Sequence, residues 1–158
     1  MRSPVRTFRI VYAVLTLNFV LPAISYIVAP AAALASMNRI NAALGGAPDA
    51  FADAGHVWHM LAVGNVMTLG FLCGLLWFDL RRFYPALPAL AFLKGFSALY
   101  SLAIAAAHGL PAFYAVFVLD GTTTVAMVYF ATRAHRAMGH AAAARTTGAS
   151  DLRGVLAR

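Results

Sequence analysis

The sequence predicts an all-α fold, an integral membrane bundle of four helices with a short interfacial helix between the first and second spans. Apolar residues make up 62% of the 158 residues and charged residues 11%, against about 45–50% and about 25% in soluble domains. The mean hydropathy of +0.77 agrees with this. Because too few polar side chains remain to cover a surface in water, we expect much of the surface to face lipid.

Four apolar runs, each close to the ~20 residues that cross a hydrocarbon core, define the predicted spans. They cover residues 8–29, 57–78, 86–107 and 111–132 and are apolar nearly all round. Gly109 and Pro111 make the last connection very short, so the third and fourth helices should be antiparallel neighbours. Residues 1–140 are predicted to form one transmembrane domain, and 141–158 a flexible, basic cytoplasmic tail with at most a short helix capped by Ser150.

The connection between the first two spans has its own helix signals. Pro30 can open a short helix, and Gly45 and Gly46 can end it. One side of that helix would then carry Leu34, Met37, Asn41 and Leu44. We expect it to lie along the outer membrane surface.

The basic residues set the expected orientation. With both termini in the cytoplasm, eleven of the twelve basic residues lie towards that side and only Arg39 lies outside, as the positive-inside rule requires. These charges cluster between apolar runs and form no stripe on one face, so the net charge of +7 does not indicate a nucleic-acid partner. The Ala- and Arg-rich, Lys-poor composition is typical of a GC-rich bacterium, which predicts the bacterial inner membrane.

The N-terminal segment also has features of a signal peptide. Its basic start and the sequence Ala33-Leu34-Ala35 fit the two ends of such a segment. The apolar stretch between them exceeds the usual h-region of about 7–15 residues. This length favours a retained first span.

Each predicted span carries one strongly polar residue at about the same depth. Helix rise places Lys94 ~12 Å and Asp120 ~16 Å above the cytoplasmic boundary, and Asn18 and Asn65 at ~15 and ~18 Å. Charges in hydrocarbon are costly and find partners inside a bundle. We therefore predict a Lys94–Asp120 pair with Asn18 and Asn65 completing its shell. Nearby hydroxyls belong to Thr68, Ser97, Thr123 and Thr124.

Small and polar residues also follow one face of the third span. At steps of four and three, this stripe contains Lys94, Ala98, Ser101, Ala105 and His108. Such residues let helices approach closely, and Ser101 adds a hydroxyl to the polar core. On the second span, Gly70 and Gly74 form a GxxxG motif that packs either inside the bundle or against a second copy.

Three interpretations of the charged pair stay open. The pair can fix helix register and partner choice without a further role. Lys94 can instead snorkel to the cytoplasm and leave Asp120 with hydroxyls. In the third interpretation the pair is functional, either in a proton or ion path or as the polar anchor of a lipophilic ligand.

A group of histidines is predicted at the outer face. His56 and His59 begin the second span, His108 ends the antiparallel third span, and Asp53 lies in the preceding loop. Three imidazoles and a carboxylate can hold zinc or copper. Two imidazoles on facing helices can hold a b-type haem. The alternative is that these histidines are interfacial side chains without a ligand.

Catalytic motifs do not appear in the sequence. The chain has no Glu and therefore no HExxH, and it has no GxSxG. Cys73 is the only cysteine, which excludes disulfide and CxxC chemistry within the chain. A thiol inside an apolar helix is usually inert, so the sequence does not favour an enzyme.

The layout resembles the DoxX-like small membrane proteins. The resemblance covers about residues 8–136 and rests on Ala29-Pro30 after the first span, a surface segment before the second, and Leu119-Asp120 in a fourth span with a basic tail. It implies a four-helix bundle that is accessory to membrane redox chemistry. It transfers no catalytic residue to this chain.

Three classes of function remain as hypotheses. The first is a non-catalytic accessory subunit or binder of a lipophilic ligand, quinone or lipid, anchored by Lys94 and Asp120. The second is a metal- or haem-binding redox component with the outer histidines as ligands. The third is a small oligomeric transporter of protons or ions. The expected partners are the lipid bilayer and either another membrane subunit or a second copy of the chain.

Overall fold

The computed structural model describes the backbone of residues 3–52 and 55–156, and the side chains of these residues except 56–59 and 142–156. Within these ranges all regular secondary structure is helical, as predicted. The helices are α1 (Pro4–Val28), α2 (Pro30–Ala43), α3 (His56–Phe78), α4 (Leu80–Phe83), α5 (Leu87–His108) and α6 (Ala112–Leu156), with a 3₁₀ turn at Tyr84–Ala86. Four segments are long and apolar enough to cross a membrane: Pro4–Val28, Met60–Phe78, Leu80–His108 and Ala112–Ala141.

The helix ends follow local chemistry. Ser3 caps α1 by accepting a hydrogen bond from the N–H of Arg6 at 3.3 Å, and Asp79 caps α4 through the N–H groups of Arg81 and Arg82. Gly109 ends α5 in the left-handed region at φ 62°, where a side chain would be strained. The predicted helix opened by Pro30 is confirmed.

The long helices pack in antiparallel pairs. The most extensive contacts join α1 to α3 and α5 to α6, α1 and α6 connect the two pairs, and α3 touches α5 at few positions. We call the end at which α1 begins and α3 finishes the terminal end. The other end, which carries α2 and the start of α6, is the distal end. The third and fourth predicted spans are therefore antiparallel neighbours, as the short connection at Gly109 and Pro111 predicted.

The apolar core lies in the terminal half of the long helices. Its buried members are Phe8, Tyr12, Leu15, Phe19, Leu69, Cys73, Leu76, Leu80, Leu87, Leu90, Met127, Ala131 and Ala134. Tyr12 joins two helices there, since its hydroxyl donates to the Met127 carbonyl at 2.9 Å. On α3, none of the described side chains from 60 to 68 is buried. The packing around α3 therefore loosens towards the distal end.

Two glycines allow α1 and α3 to approach closely. A Cβ at Gly70 would lie 2.9 Å from Cγ2 of Val20, and one at Gly74 would lie 3.8 Å from Cγ2 of Thr16. A side chain at Gly70 would therefore push the two helices apart. The GxxxG motif packs against α1, which answers the question that the sequence left open.

An asparagine clasp holds the distal end. Oδ1 of Asn41 accepts from the N–H of Ala112 at 3.1 Å, and its Nδ2 donates to the Ala47 carbonyl at 2.9 Å. Asn38 bonds both the N–H and the carbonyl of Phe51, at 2.9 and 3.0 Å. These bonds tie α2 and its following loop to the start of α6.

The C-terminal segment differs from the prediction. The sequence predicted at most a short helix capped by Ser150 within 141–158, whereas the backbone of α6 stays helical to Leu156. Alanine is the strongest helix former, and all four residues from 141 to 144 are alanine. These alanines follow a helix that already runs through Thr132, so α6 continues through them and no separate helix has to begin.

Candidate functional site

The structure pairs the two charges that the sequence placed at one depth. Nζ of Lys94 on α5 forms an ion pair with Oδ1 of Asp120 on α6. The two side chains are 13% and 11% exposed, so neither projects freely from the helix pair. Among the residues with described side chains, this is the one salt bridge between side chains. The predicted pairing is confirmed, and the snorkelling alternative for Lys94 is wrong.

Small residues on α5 let the pair form. Ala98, Ser101 and Ala105 are buried on the stripe that begins with Lys94, and residues three and four apart share one face of a helix. A Cβ at Gly95 would lie 3.8 Å from Cγ2 of Thr124, which shows how near α6 runs. This close approach brings the carboxylate of α6 within reach of the ammonium of α5.

Both oxygens of the carboxylate are occupied. Lys94 holds Oδ1, and the hydroxyl of Ser97 donates to Oδ2 at 2.7 Å. The hydroxyl of Thr124 donates to the backbone carbonyl of Asp120 at 2.7 Å and thus supports the helix, not the carboxylate. Hydrogen bonds to ionised acceptors are the stronger kind, so Ser97 contributes directly to stabilising the buried charge.

The ammonium retains spare hydrogen-bonding capacity. It carries three N–H donors. Within the described side chains and backbone, Asp120 is its one hydrogen-bond acceptor, while the Phe19 ring lies 5.0 Å from Nζ on another side. A ring face attracts a cation, but it does not replace an oxygen acceptor. Lys94 can therefore still donate to an oxygen of a bound molecule.

The polar shell is narrower than predicted. The side chains of Asn18 and Asn65 are exposed, and neither makes a hydrogen bond to any group in the described ranges. Asn18 lies outside the buried stripe of α1, which includes Phe19 and Ala23, because depth along a helix does not fix rotation about its axis. Ser101 is buried at 5% exposure, yet it too bonds to neither charge. The prediction that the two asparagines complete the shell is wrong.

Asn65 nevertheless lies on the inward stripe of α3. It precedes Leu69, Leu72 and Leu76 at helical spacing, and Leu69 and Leu76 are buried. The stripe becomes exposed at Asn65, since none of the described side chains of α3 from 60 to 68 is buried. The residue thus lies above the core instead of inside it.

The predicted metal and haem sites stay predictions. Asp53 lies outside the described residues, as do the side chains of His56 and His59. His108 is described and its side chain is exposed. Across the part of the chain with described side chains, no three His, Cys, Asp or Glu residues lie close enough to hold a metal ion.

Three contacts of functional interest have no clear signal in the sequence. The Phe19 ring lies against the Lys94 ammonium, whereas in the sequence Phe19 is indistinguishable from the other apolar residues of α1. The sequence indicates Ser97 as one of several nearby hydroxyls, and its position three residues after Lys94 places both on one face of α5. His135 stacks on Tyr84 with ring centroids 3.9 Å apart, and its buried Nδ1 has no hydrogen-bond partner among the described residues.

Comparisons with known proteins find no match. No family model, no curated protein and no solved structure matches this chain. The functional argument therefore rests on the residues and contacts described above.

Proposed function

We propose that this chain is a small, non-catalytic membrane protein that binds a lipophilic molecule, a quinone or a lipid, by its polar head at the Lys94–Asp120 pair. The observation that carries the proposal is the spare hydrogen-bonding capacity of Lys94 next to a carboxylate already fixed by Ser97. In hydrocarbon such a donor is costly unless it meets an acceptor. A carbonyl or ester oxygen of a membrane-soluble molecule provides one.

A small apolar pocket lies at the distal end, on the same side of α3 as Asn65. A pocket of about 180 Å³ lies there beneath α2, between Tyr26, Leu34, Met37 and Ala62. Ala62 lies one turn before Asn65 on the inward side of α3, where the helix packs loosely. An apolar molecule can be received in this pocket, whose lining is almost entirely apolar.

The binding role is favoured over chemistry for a physical reason. Cys73, the chain's single thiol, is fully buried, and its sulfur lies 3.9 Å from that of Met127. A thiol in such surroundings is a poor nucleophile. Lys94 and Ser97 hold both oxygens of the Asp120 carboxylate, so this carboxylate is fixed in place and suits an anchor better than a reacting group.

The proposed setting is a bacterial inner membrane with both termini in the cytoplasm. The exposed arginines Arg6, Arg9, Arg81, Arg82, Arg133 and Arg136 at the terminal end support this orientation. The resemblance to DoxX-like proteins supports an accessory role beside a membrane redox enzyme. In that role the chain presents a lipophilic molecule to a partner subunit.

The decisive experiment compares co-purifying molecules. The wild-type chain is purified in a mild detergent, extracted with organic solvent and assayed by mass spectrometry. The test variant combines Lys94→Met with Asp120→Leu, because replacing both partners of a buried ion pair by apolar residues is often tolerated by the fold. Ser101→Ala serves as the control, since this buried hydroxyl lies two turns along α5 and bonds to neither charge.

The proposal predicts a defined lipophilic molecule in near-equimolar amount with the wild type and the Ser101→Ala control, and its loss from the double variant. Circular dichroism should show that all three proteins keep their helix content. Equal retention by the double variant would contradict the proposal and leave the pair with a structural role alone.

A further inference from the structure

A second feature lies on the outer side of the α1–α3 pair, away from the ion pair. It is a groove with a volume of about 630 Å³ whose walls include Thr16 and Val20 of α1 and Gly64, Thr68, Gly74 and Leu75 of α3. Its floor is closed where Val20 meets Gly70. Phe19, which lies against Lys94, is buried on the inner side of this contact, so the groove and the ion pair are separate places.

The groove offers no free polar side chain. Its two hydroxyls are engaged within their own helices, because Thr16 donates to the Tyr12 carbonyl at 2.8 Å and Thr68 donates to the Gly64 carbonyl at 2.7 Å. The other walls are aliphatic, aromatic, thioether or bare glycine. A polar ligand would lose hydrogen bonds on entering it, whereas a hydrocarbon chain would lose none.

The length of the groove matches one leaflet. From Gly64 to Leu75 the wall of α3 rises by about 16 Å at ~1.5 Å per residue. One leaflet accounts for half of a hydrocarbon core that is ~30 Å thick. An acyl chain that starts at the terminal end can therefore lie along the whole groove.

A cation lies two helical turns beyond the groove, towards the terminal end. Arg9 precedes Thr16 by two helical turns on the same face of α1, a distance of about 10 Å along the axis. Its side chain is exposed, and it forms no ion pair with any residue in the described ranges. Asp79, the acidic residue that ends α3 on this side, accepts hydrogen bonds from the N–H groups of Arg81 and Arg82.

We propose that the groove binds one anionic phospholipid, with an acyl chain between α1 and α3 and the phosphate beside Arg9. The apolar walls select the chain, and the unpaired guanidinium selects the charge of the headgroup. This inference does not depend on the proposed function, because it uses none of the residues at the ion pair. In this proposal the groove between α1 and α3 holds a bound lipid as part of the folded protein.

Headgroup selection is tested with mixed lipids. The chain is prepared in mild detergent with equimolar phosphatidylglycerol and phosphatidylcholine, and retained lipid is counted by native mass spectrometry. We expect the wild type to retain about five times as much phosphatidylglycerol as phosphatidylcholine. One arginine at a lipid surface contributes about 1 kcal/mol to the binding of an anionic lipid, which corresponds to this ratio. Arg9→Gln should bring the ratio close to one. Arg136→Gln, an exposed arginine of α6 at the same end, should leave it unchanged.

Chain binding is tested by filling the groove. A Cβ at Gly64 meets nothing within 4 Å, so Gly64→Leu occupies the groove without disturbing the α1–α3 contact. Gly121→Leu is the matched control, because Gly121 is equally open on α6. We expect Gly64→Leu to lose both lipids and Gly121→Leu to keep them. The proposal is overturned if Arg9→Gln keeps the preference, or if the two leucine variants retain the same lipid.

Discussion

Ser97 donates a hydrogen bond of 2.7 Å to Oδ2 of Asp120, while Lys94, one turn earlier on the same helix, holds Oδ1. One helix thus supplies both donors to a carboxylate on its neighbour. The arrangement neutralises the charge and fixes the orientation of the carboxylate plane. It leaves the ammonium, instead of the carboxylate, with capacity for another partner.

The serine bond gives the first prediction. Ser97→Ala should lower the free energy of unfolding by about 1.5–3 kcal/mol, because a hydrogen bond to a charged group is lost in a site with little water. Ser101→Ala should change it by less than about 1 kcal/mol, since that hydroxyl bonds to neither charge. Denaturant titration in lipid–detergent micelles, followed by circular dichroism, measures both. Equal effects of the two variants would show that the Ser97 bond adds nothing specific.

The close approach of α1 and α3 gives the second prediction. Gly70→Ala should destabilise the protein by about 1–3 kcal/mol, because its Cβ would lie 2.9 Å from Cγ2 of Val20. Gly64→Ala should be neutral or stabilising by up to about 1 kcal/mol, since its Cβ meets open space in a helix interior. Adding Val20→Ala to Gly70→Ala should recover part of the loss. If Gly70→Ala matches Gly64→Ala in thermal stability, then the packing between these helices is looser than described.

The asparagine clasp gives the third prediction. Asn41→Leu should leave the buried Ala112 N–H without its partner, at a cost of about 1–3 kcal/mol, and should also remove the hydrogen bond to the carbonyl of the exposed Ala47. The start of α6 should then exchange its amide hydrogens faster, as hydrogen–deuterium exchange can measure. Exchange around Met127, about four turns further along α6 in the apolar core, should change little. Uniform acceleration along α6 would argue against a local clasp.

The depth of the charged residues could be predicted because the rise of a helix is fixed. Counting from the span boundaries placed Lys94 and Asp120 at matching levels, and the small stripe of α5 indicated which face turns inward. The same counting failed for Asn18, which has the right depth but lies outside the inward stripe of α1. To predict which face of a helix points inward, the sequence must show an apolar stripe in addition to the depth of each residue. In α1 this stripe is weak, because the helix is apolar nearly all round.

Contacts between segments that are distant in the sequence could not be predicted, for a different reason. The sequence places Asn41 on one side of α2 with Leu34 and Met37, but its partners Ala47 and Ala112 depend on the path of the loop between α2 and α3. Asn65 has the helical spacing of the buried Leu69 and Leu76 on α3, yet its side chain is exposed. Whether a neighbouring helix covers a position on such a stripe depends on the packing of all the long helices together.

The central claim, that Lys94 and Asp120 stabilise the protein as a pair, is tested most directly by exchanging the charges. The free energy of unfolding is compared for Lys94→Asp, for Asp120→Lys and for the chain that carries both changes. Each single change puts like charges side by side and should cost about 3–5 kcal/mol, and the exchange should restore at least about half of the larger loss. An exchanged chain that is no more stable than the single variants would contradict the pairing.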